Sequence, residues 1–422
     1  MKYFRINIYL SVRNLITSFF NYNHSNQYEY EIRKLLLRNS KKKYLSLTSQ
    51  CRVSFLFILK YLKKSFPKKN EIIFCAYNLP EMVNVAKNLN FKIIFSDLEY
   101  SSGFYNLSQL KKKLNKKTVA VVLTNMFNTY EDSIKLKKIC KNKNINIIED
   151  NAIYFDNYKI INKKKKFSGT VGDFSIYSFN IMKNISALYG GAVVSNDYKF
   201  HKFLNLESEK LKNFDVIILI KQILIFFILK TMSIKFLYKN LFFNLIKKTH
   251  INNNRFFLKI FYPSLKFKII KFPKYYFARI SLLSKKLIFN QLANFKKRAN
   301  NHKIRKINNN YYNSKFKSLK TKKVKTINIY DFNYQNFMDF PILVKNKNKL
   351  NNFLLSKGIE TRAYHYRNCE KIFVKGKIFF CKNAKNYENE IICLPNHRGI
   401  KLEYIDYIVD MIAVFYSNNI KI

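Results

Sequence analysis

The sequence predicts an α/β fold, a mostly parallel sheet covered by helices, followed by a smaller α+β domain. Two observations carry the sheet. Between residues 71 and 149, strand-length apolar runs alternate with helix-length amphipathic ones, the repeat of β-α-β units. The run at 118–123 is apolar almost throughout, as strands buried on both faces are. The third observation is length: 422 residues exceed what one small core organises, so a second unit is expected.

In order, residues 1–44 are polar and aromatic and are expected to form a helical N-terminal arm or dimer-contact segment. Residues 45–212 form the predicted large domain. Leu45-Ser46-Leu47-Thr48-Ser49-Gln50-Cys51-Arg52 leads into an apolar helix over 53–62. Strands are predicted at 71–77, 91–95, 118–123 and 145–149, with helices at 80–88, 108–114 and 131–143 between them. Ligands in such sheets sit at the carboxyl ends of the strands. Asp150 stands at one such end and Ser178 closes the next strand, so both are expected to face one cleft.

Residues 213–275 read as an apolar and basic helical insertion. Its core, 215–248, carries lysines at 221, 230, 235, 239, 247 and 248, and its longest clean apolar run is 223–229. That run is far short of the ~20 residues a membrane span needs. Wound as a helix, the segment puts Lys221, Lys235 and Lys239 near one side and leaves a broad apolar face. Two readings stay open: a helix lying in the membrane interface beside anionic lipid, or a self-packed hairpin or subunit contact. Residues 276–422 hold a linking helix and the small domain, with a strand at Asp339–Val344 and an amphipathic helix at the end.

The net charge of +53 would ordinarily point to nucleic acid. Here Lys, Asn, Ile, Phe and Tyr are overused together while Gly, Pro and Trp are scarce, the mark of an AT-biased coding sequence. The lysines are scattered and accompany no nucleic-acid-binding motif, so nucleic acid is not expected as a partner. Six cysteines without a CxxC pair indicate a reduced, cytoplasmic protein with no structural zinc. The first twenty residues, interrupted by Arg5 and Arg13 and lacking a small-residue cleavage site, do not read as a signal peptide. The six histidines suggest no metal cluster, and His397, just after Pro395, reads as a turn residue.

Function concentrates in residues 145–196. A strand ends on Glu149 and Asp150, another runs from Phe174 to Phe179, Lys183 follows Ser178 by five residues, and Gly190-Gly191 opens a third strand. Four of the eight glycines fall here, where the backbone must turn or approach something closely. The layout suits an aldehyde cofactor on a lysine: a buried acid pairs with a protonated ring nitrogen, an apolar pocket frees the lysine's amine, and a hydroxyl holds a phosphate. Spacing alone leaves open that Asp150 is a strand-end turn residue and Lys183 one of many solvated lysines.

The segments IIEDNA, GDFSIYSFNIMKN and GGAVVSND resemble the DegT/DnrJ/EryC1/StrS family of pyridoxal-phosphate-dependent sugar aminotransferases. That family's pattern is an acid pair, GD-x-x-x-x-SF, Lys-Asn, then GGA with a short strand. The resemblance runs from about residue 45 to the C-terminus apart from the insertion, and KGIETRAYHY and LPNHRG match it again far from the lysine. It implies a fold-type I enzyme in which Lys183 bonds the cofactor's aldehyde, Asp150 keeps the ring nitrogen protonated and Ser178 donates to the phosphate. The phosphate turn would be Gln50, Cys51 and Arg52, with cysteine where the family has glycine and arginine where threonine is common. The family's usual Gln or His near the ring oxygen is replaced by Ile153, and an aromatic over the ring by Leu79. Arg362 and His365 would contact substrate. The segment 277–316 resembles the family's long helix, with Gln291, Arg298 and Tyr311 along it.

By resemblance, the implied activity moves an amino group, typically from glutamate, onto a nucleotide-linked keto sugar for surface polysaccharide or related amino-sugar synthesis. The implied assembly is a homodimer in the cytoplasm, with peripheral contact at the inner membrane face through 215–248. A second reading stays open at this point: a catalytically weak homologue with a regulatory or scaffold role at the membrane surface.

Overall fold

The structure, a computed structural model, describes residues 2–20, 25–153, 155, 157–251, 272–294, 300–319, 321–327, 338–364, 366–374, 376 and 380–418. His365 and Arg298 lie outside the described residues, as do residues 252–271 of the insertion.

In chain order the strands are β1 (Tyr44–Thr48), β2 (Glu71–Cys75), β3 (Tyr77–Asn78), β4 (Lys92–Ser96), β5 (Thr118–Thr124), β6 (Asn146–Asp150), β7 (Tyr158–Ile161), β8 (Lys164–Phe167), β9 (Phe174–Ser178), β10 (Gly191–Ser195), β11 (Val324–Thr326), β12 (Asp339–Val344), β13 (Arg367–Asn368) and β14 (Ile391–Pro395). The main sheet has seven strands in the order β1-β10-β9-β6-β5-β2-β4. β9, β6, β5, β2 and β4 run parallel, while β10 lies antiparallel to both its neighbours, β1 and β9. A second sheet, β11-β12-β14, is antiparallel. The predicted strands and helices of residues 45–195 are thus present, each within a few residues of its expected ends.

Local chemistry explains the elements. β2, β9 and β10 are buried along their whole length, which is why no polar alternation marks them. The Tyr130–Lys141 helix starts on a capping box in which Thr129 and Asp132 satisfy each other's backbone N–H groups. Asn106, Ser281 and Asp215 cap three further helices through their side chains. One buried apolar cluster joins the Cys51–Ser65 helix and the main sheet to the second sheet and the Leu402–Asn418 helix, through residues such as Phe55, Val121, Ile342 and Ile405.

Two expectations need correction. The helix expected over 277–316 is described as two, Leu282–Ala293 and Asn300–Ser318. The family resemblance of KGIETR implies a strand around Arg362, and there is none: Gly358, at φ +87°, turns the chain and Arg362 makes a single bridge to Cys393. The N-terminal arm is helical as expected, over Val12–Phe20 and Ser25–Ser40, and packs partly on its own chain. Ile8, Leu10, Ile32 and Leu36 pack in one cluster with Phe179, Ile181 and Leu188 of the same chain.

Candidate active site

The acid pair that ends β6 divides its labour. Alternate residues of a strand point to opposite faces, so Glu149 and Asp150 cannot serve one site. The fully buried Glu149 accepts hydrogen bonds from the backbone N–H groups of Gly169 (2.7 Å), Val171 (3.1 Å) and Gly172 (2.8 Å), from Asn125 (3.0 Å) and from Ser175 (3.4 Å). It clasps the loop before β9. Gly172 is glycine because a Cβ there would lie 2.7 Å from the Glu149 Cβ.

Asp150 faces Lys183. Burial raises its carboxyl above the ordinary range, opposed by a hydrogen bond from the Ala152 N–H (2.9 Å) and by the charges of Lys183 and Arg52. Burial lowers the Lys183 amine from 10.5 to about 8; Asp150 and Cys51 oppose the shift, and Arg362 and Arg52 reinforce it. The site therefore holds an acid that burial makes reluctant to ionise beside an amine poised to lose its proton.

The loop bearing Lys183, residues 179–190, joins β9 to β10 and is clamped from several sides. Gln291 takes the Ser186 N–H (3.1 Å) on its side-chain oxygen and donates to the Ser186 carbonyl (2.6 Å). Ser284 donates to the Ala187 carbonyl (3.0 Å), and Arg305 donates to the Asn184 side chain (2.8 Å). From the insertion, Gln222 donates to the Asn180 side chain and the Leu188 carbonyl, each at 3.3 Å. Leu188 is held at φ +65°, an unusual backbone for a γ-branched residue that the surrounding contacts must stabilise.

The other half of the site is the start of the Cys51–Ser65 helix. Its N-cap, Gln50, makes no side-chain cap bond, and the buried Ser49 Oγ and Gln50 Nε2 have no hydrogen-bond partner among the described residues. Orphaned buried donors at a helix N-terminus are what an anion satisfies. Thr48, Gly191 and Ser178 lie in one row across β1, β10 and β9 at this edge. A Cβ on Gly191 would stand 2.4 Å from the Cys51 nitrogen and the Gln50 carbonyl carbon, so a glycine is required for the turn to sit against β10. Cys51 is buried, and its thiol is pushed well above its ordinary value by burial first and Asp150 second. Cys51 is thus a neutral thiol inside the turn, with Arg52 beside it supplying the charge.

A cleft of about 360 Å³ is lined by Arg52, Ile153, Lys183 and Arg362 among the predicted residues, and by Met126, Phe127, Asn180, Met338, Asp339 and Cys393 among those the sequence reading missed; Asp150 and Ser178, expected to face it, are buried and not in its lining, and neither are Gln50 and Cys51. Phe127 follows β5 at its carboxyl end, so the strand-end rule could have found it. Leu79 does not line the cleft; the apolar wall is Met126, Phe127 and Ile153. Arg362 is held by Asp339 at 3.0 Å, and Asp339 in turn lies 3.8 Å from the buried Arg5. His397 is a buried structural residue, bonded to the Phe4 carbonyl (2.9 Å) and the Gly399 N–H (3.1 Å), its imidazole lowered to about 4 chiefly by burial.

The model of the DegT/DnrJ/EryC1/StrS aminotransferase family matches residues 9–213 and 278–413, leaving out only the insertion and the chain ends. The chain belongs to that family. Its cofactor is pyridoxal 5′-phosphate, and the residues present fit it: orphaned donors and a helix start for the phosphate, Asp150 for the ring nitrogen and Lys183 for the aldehyde. Among relatives, the chain is 31% identical over 141 residues to a GDP-perosamine synthase of Vibrio cholerae, covering 33% of this chain and 37% of the relative. It is 26% identical over 141 residues to a UDP-4-amino-4,6-dideoxy-N-acetyl-β-L-altrosamine transaminase of Helicobacter pylori, covering 33% and 36%. The chain therefore spans about a third of the length of these curated relatives. In fold it is similar to Helicobacter pylori PseC, an aminotransferase of pseudoaminic acid biosynthesis, with a TM-score of 0.70 at 16% identity over 99% of this chain and 100% of that one.

Proposed function

We propose that the chain is a pyridoxal-phosphate-dependent aminotransferase that moves an amino group, from glutamate, onto a keto sugar carried by a nucleotide. The observation that carries the reading is the buried Lys183–Asp150 pair beneath a cleft that also presents Arg52 and Arg362. When bound, the cofactor supplies an electron sink for the carbon bearing the amine. Asp150 holds the ring nitrogen's proton, and the helix start with Ser178 and Arg52 binds the phosphate. Lys183 Nζ, its amine freed by burial, would take the proton from the amine-bearing carbon of the donor and would deliver it to the carbon on the other side of the nitrogen. Arg362, oriented by Asp339, suits the carboxylate of the donor or the pyrophosphate of the sugar nucleotide. The relatives' sugar-nucleotide names support this substrate class, and a place in surface polysaccharide or related amino-sugar synthesis follows from it. A cytoplasmic homodimer is the assembly we propose. The retained Asp150, Ser178 and Lys183 favour catalysis over a scaffold role, despite Ile153 and the altered Cys51-Arg52 turn.

The test is the absorbance spectrum after adding pyridoxal phosphate, wild type beside Lys183→Ala. A yellow band trapped by borohydride in wild type and missing in the variant is expected, and keto-sugar nucleotides are then screened with glutamate. A folded wild type without that band would sink the enzyme reading.

A further inference from the structure

The insertion helix Val216–Met232 is apolar nearly all round, a composition that belongs in a core or a bilayer. Among the described residues only one side of it is covered. Phe226 is fully buried and Gln222 is bonded to the Lys183 loop, so the inner face is fixed to the protein. On the outside, Ile217, Ile220, Leu224 and Ile228 stand 50–63% exposed at helical spacing, and Phe236 (72%) and Leu241 (61%) extend the face beyond the helix. Such a contiguous apolar surface is rare on a free monomer.

Charge decides what covers it. Residues 216–251 contain six lysines and no Asp or Glu. Lys221, Lys235, Lys239 and Lys248 are exposed around the apolar side chains. A symmetric contact with a second copy would set this face on itself, like charge against like charge. An anionic lipid surface meets both features, headgroups taking the lysines and acyl chains the apolar face. The geometry permits lying flat and not crossing. Seventeen residues rise only ~26 Å against a hydrocarbon core of ~30 Å. The paired segments Val216–Met232 and Lys235–Thr249 also bend by 78°, and among the described residues no single helix is long and apolar enough to cross.

We infer that the outer face of residues 216–248 seats the protein on an anionic membrane surface. The inference is independent of the proposed activity, since it rests on residues outside the cleft.

The test is flotation of the full, cofactor-loaded chain with vesicles of phosphatidylcholine alone or mixed with phosphatidylglycerol. Two variants accompany wild type: Ile220→Ser/Leu224→Ser/Ile228→Ser, and Lys221→Glu/Lys235→Glu/Lys239→Glu. Wild type is expected to float with the anionic vesicles. Losing three lysines at roughly one kcal/mol each already lowers partitioning more than about a hundredfold, and the glutamates' repulsion lowers it further. The apolar variant should lose flotation at physiological salt while keeping the wild-type melting curve and cofactor absorbance. Flotation unaffected by either variant overturns the inference. So does retention on DNA in place of vesicles, or an apolar variant that only shifts wild type to a smaller assembly in sedimentation, which would make the occupant a second copy.

Discussion

Glu149→Gln tests the division between the two acids at the end of β6. The substitution keeps shape and removes one acceptor oxygen. Glu149 Oε1 accepts from Asn125 and Gly169, and Oε2 accepts from Val171, Gly172 and Ser175, so a side-chain NH₂ faces donors in either orientation. Asn125 cannot relieve this by turning its amide, because its own oxygen already accepts from Asn128 at 2.7 Å. In the better orientation two hydrogen bonds to a charge are lost, at about 1.5–3 kcal/mol each, so the cost is about 3–6 kcal/mol. That is a large part of a typical total of roughly 5–15 kcal/mol. The assay is urea denaturation of the cofactor-free protein, with Asp150→Asn alongside. Glu149→Gln should lower the midpoint strongly, whereas Asp150→Asn, which removes a charge that burial already disfavours, should hold or raise it and instead weaken cofactor retention. A Glu149→Gln protein within about 1 kcal/mol of wild type, or one stable but unable to hold cofactor, would refute the clasp.

Gly191→Ala should cost about 1–3 kcal/mol and weaken pyridoxal phosphate binding about tenfold or more, because the new methyl meets backbone at 2.4 Å and moves the helix start; a titration beside a melt checks both. In cofactor-free protein, the rate of cofactor capture should climb with pH and level off above about 8, as the attacking neutral amine of Lys183 becomes the major form. Asp150 raises that value, so Asp150→Asn should move the profile to lower pH, and stopped-flow absorbance across neutral and alkaline pH reads the shift.

Much of this was legible in the sequence because the large domain obeys local rules. Apolar runs marked β5 and β10, the strand ends of β6 and β9 marked Asp150 and Ser178, and the family resemblance singled out Lys183 in the loop that follows. What was illegible depends on pairing at a distance. No pattern distinguishes Glu149 from Asp150 until the Gly169–Gly172 loop folds over one of them. Asp339 reads as the first residue of a strand and becomes the partner of Arg362 only when β12 and β14 pair. Gln222 reads as a polar interruption in an apolar helix, yet it braces the lysine loop. The bend after Met232 follows no proline or glycine, so composition could not show which apolar side chains would be left outside.

The reversed strand β10 separates the site by the distance its parts must travel. β9 and β10 are neighbours with Ser178 opposite Gly191, so Lys183 rides on a hairpin whose closure costs little chain entropy. Asp150 joins through the adjacent pairing of β6 with β9. Arg362 is carried in from the far end of the chain, by its bridge to Cys393 and its contact with Asp339. In a chain made from its N-terminus, Asp150, Ser178 and Lys183 are synthesised well before Arg362, and before Ser284, Gln291 and Arg305 that clamp the lysine loop. The strand-end residues and the arginine of the cleft thus join at different stages of the chain's synthesis, although the folded protein sets them side by side.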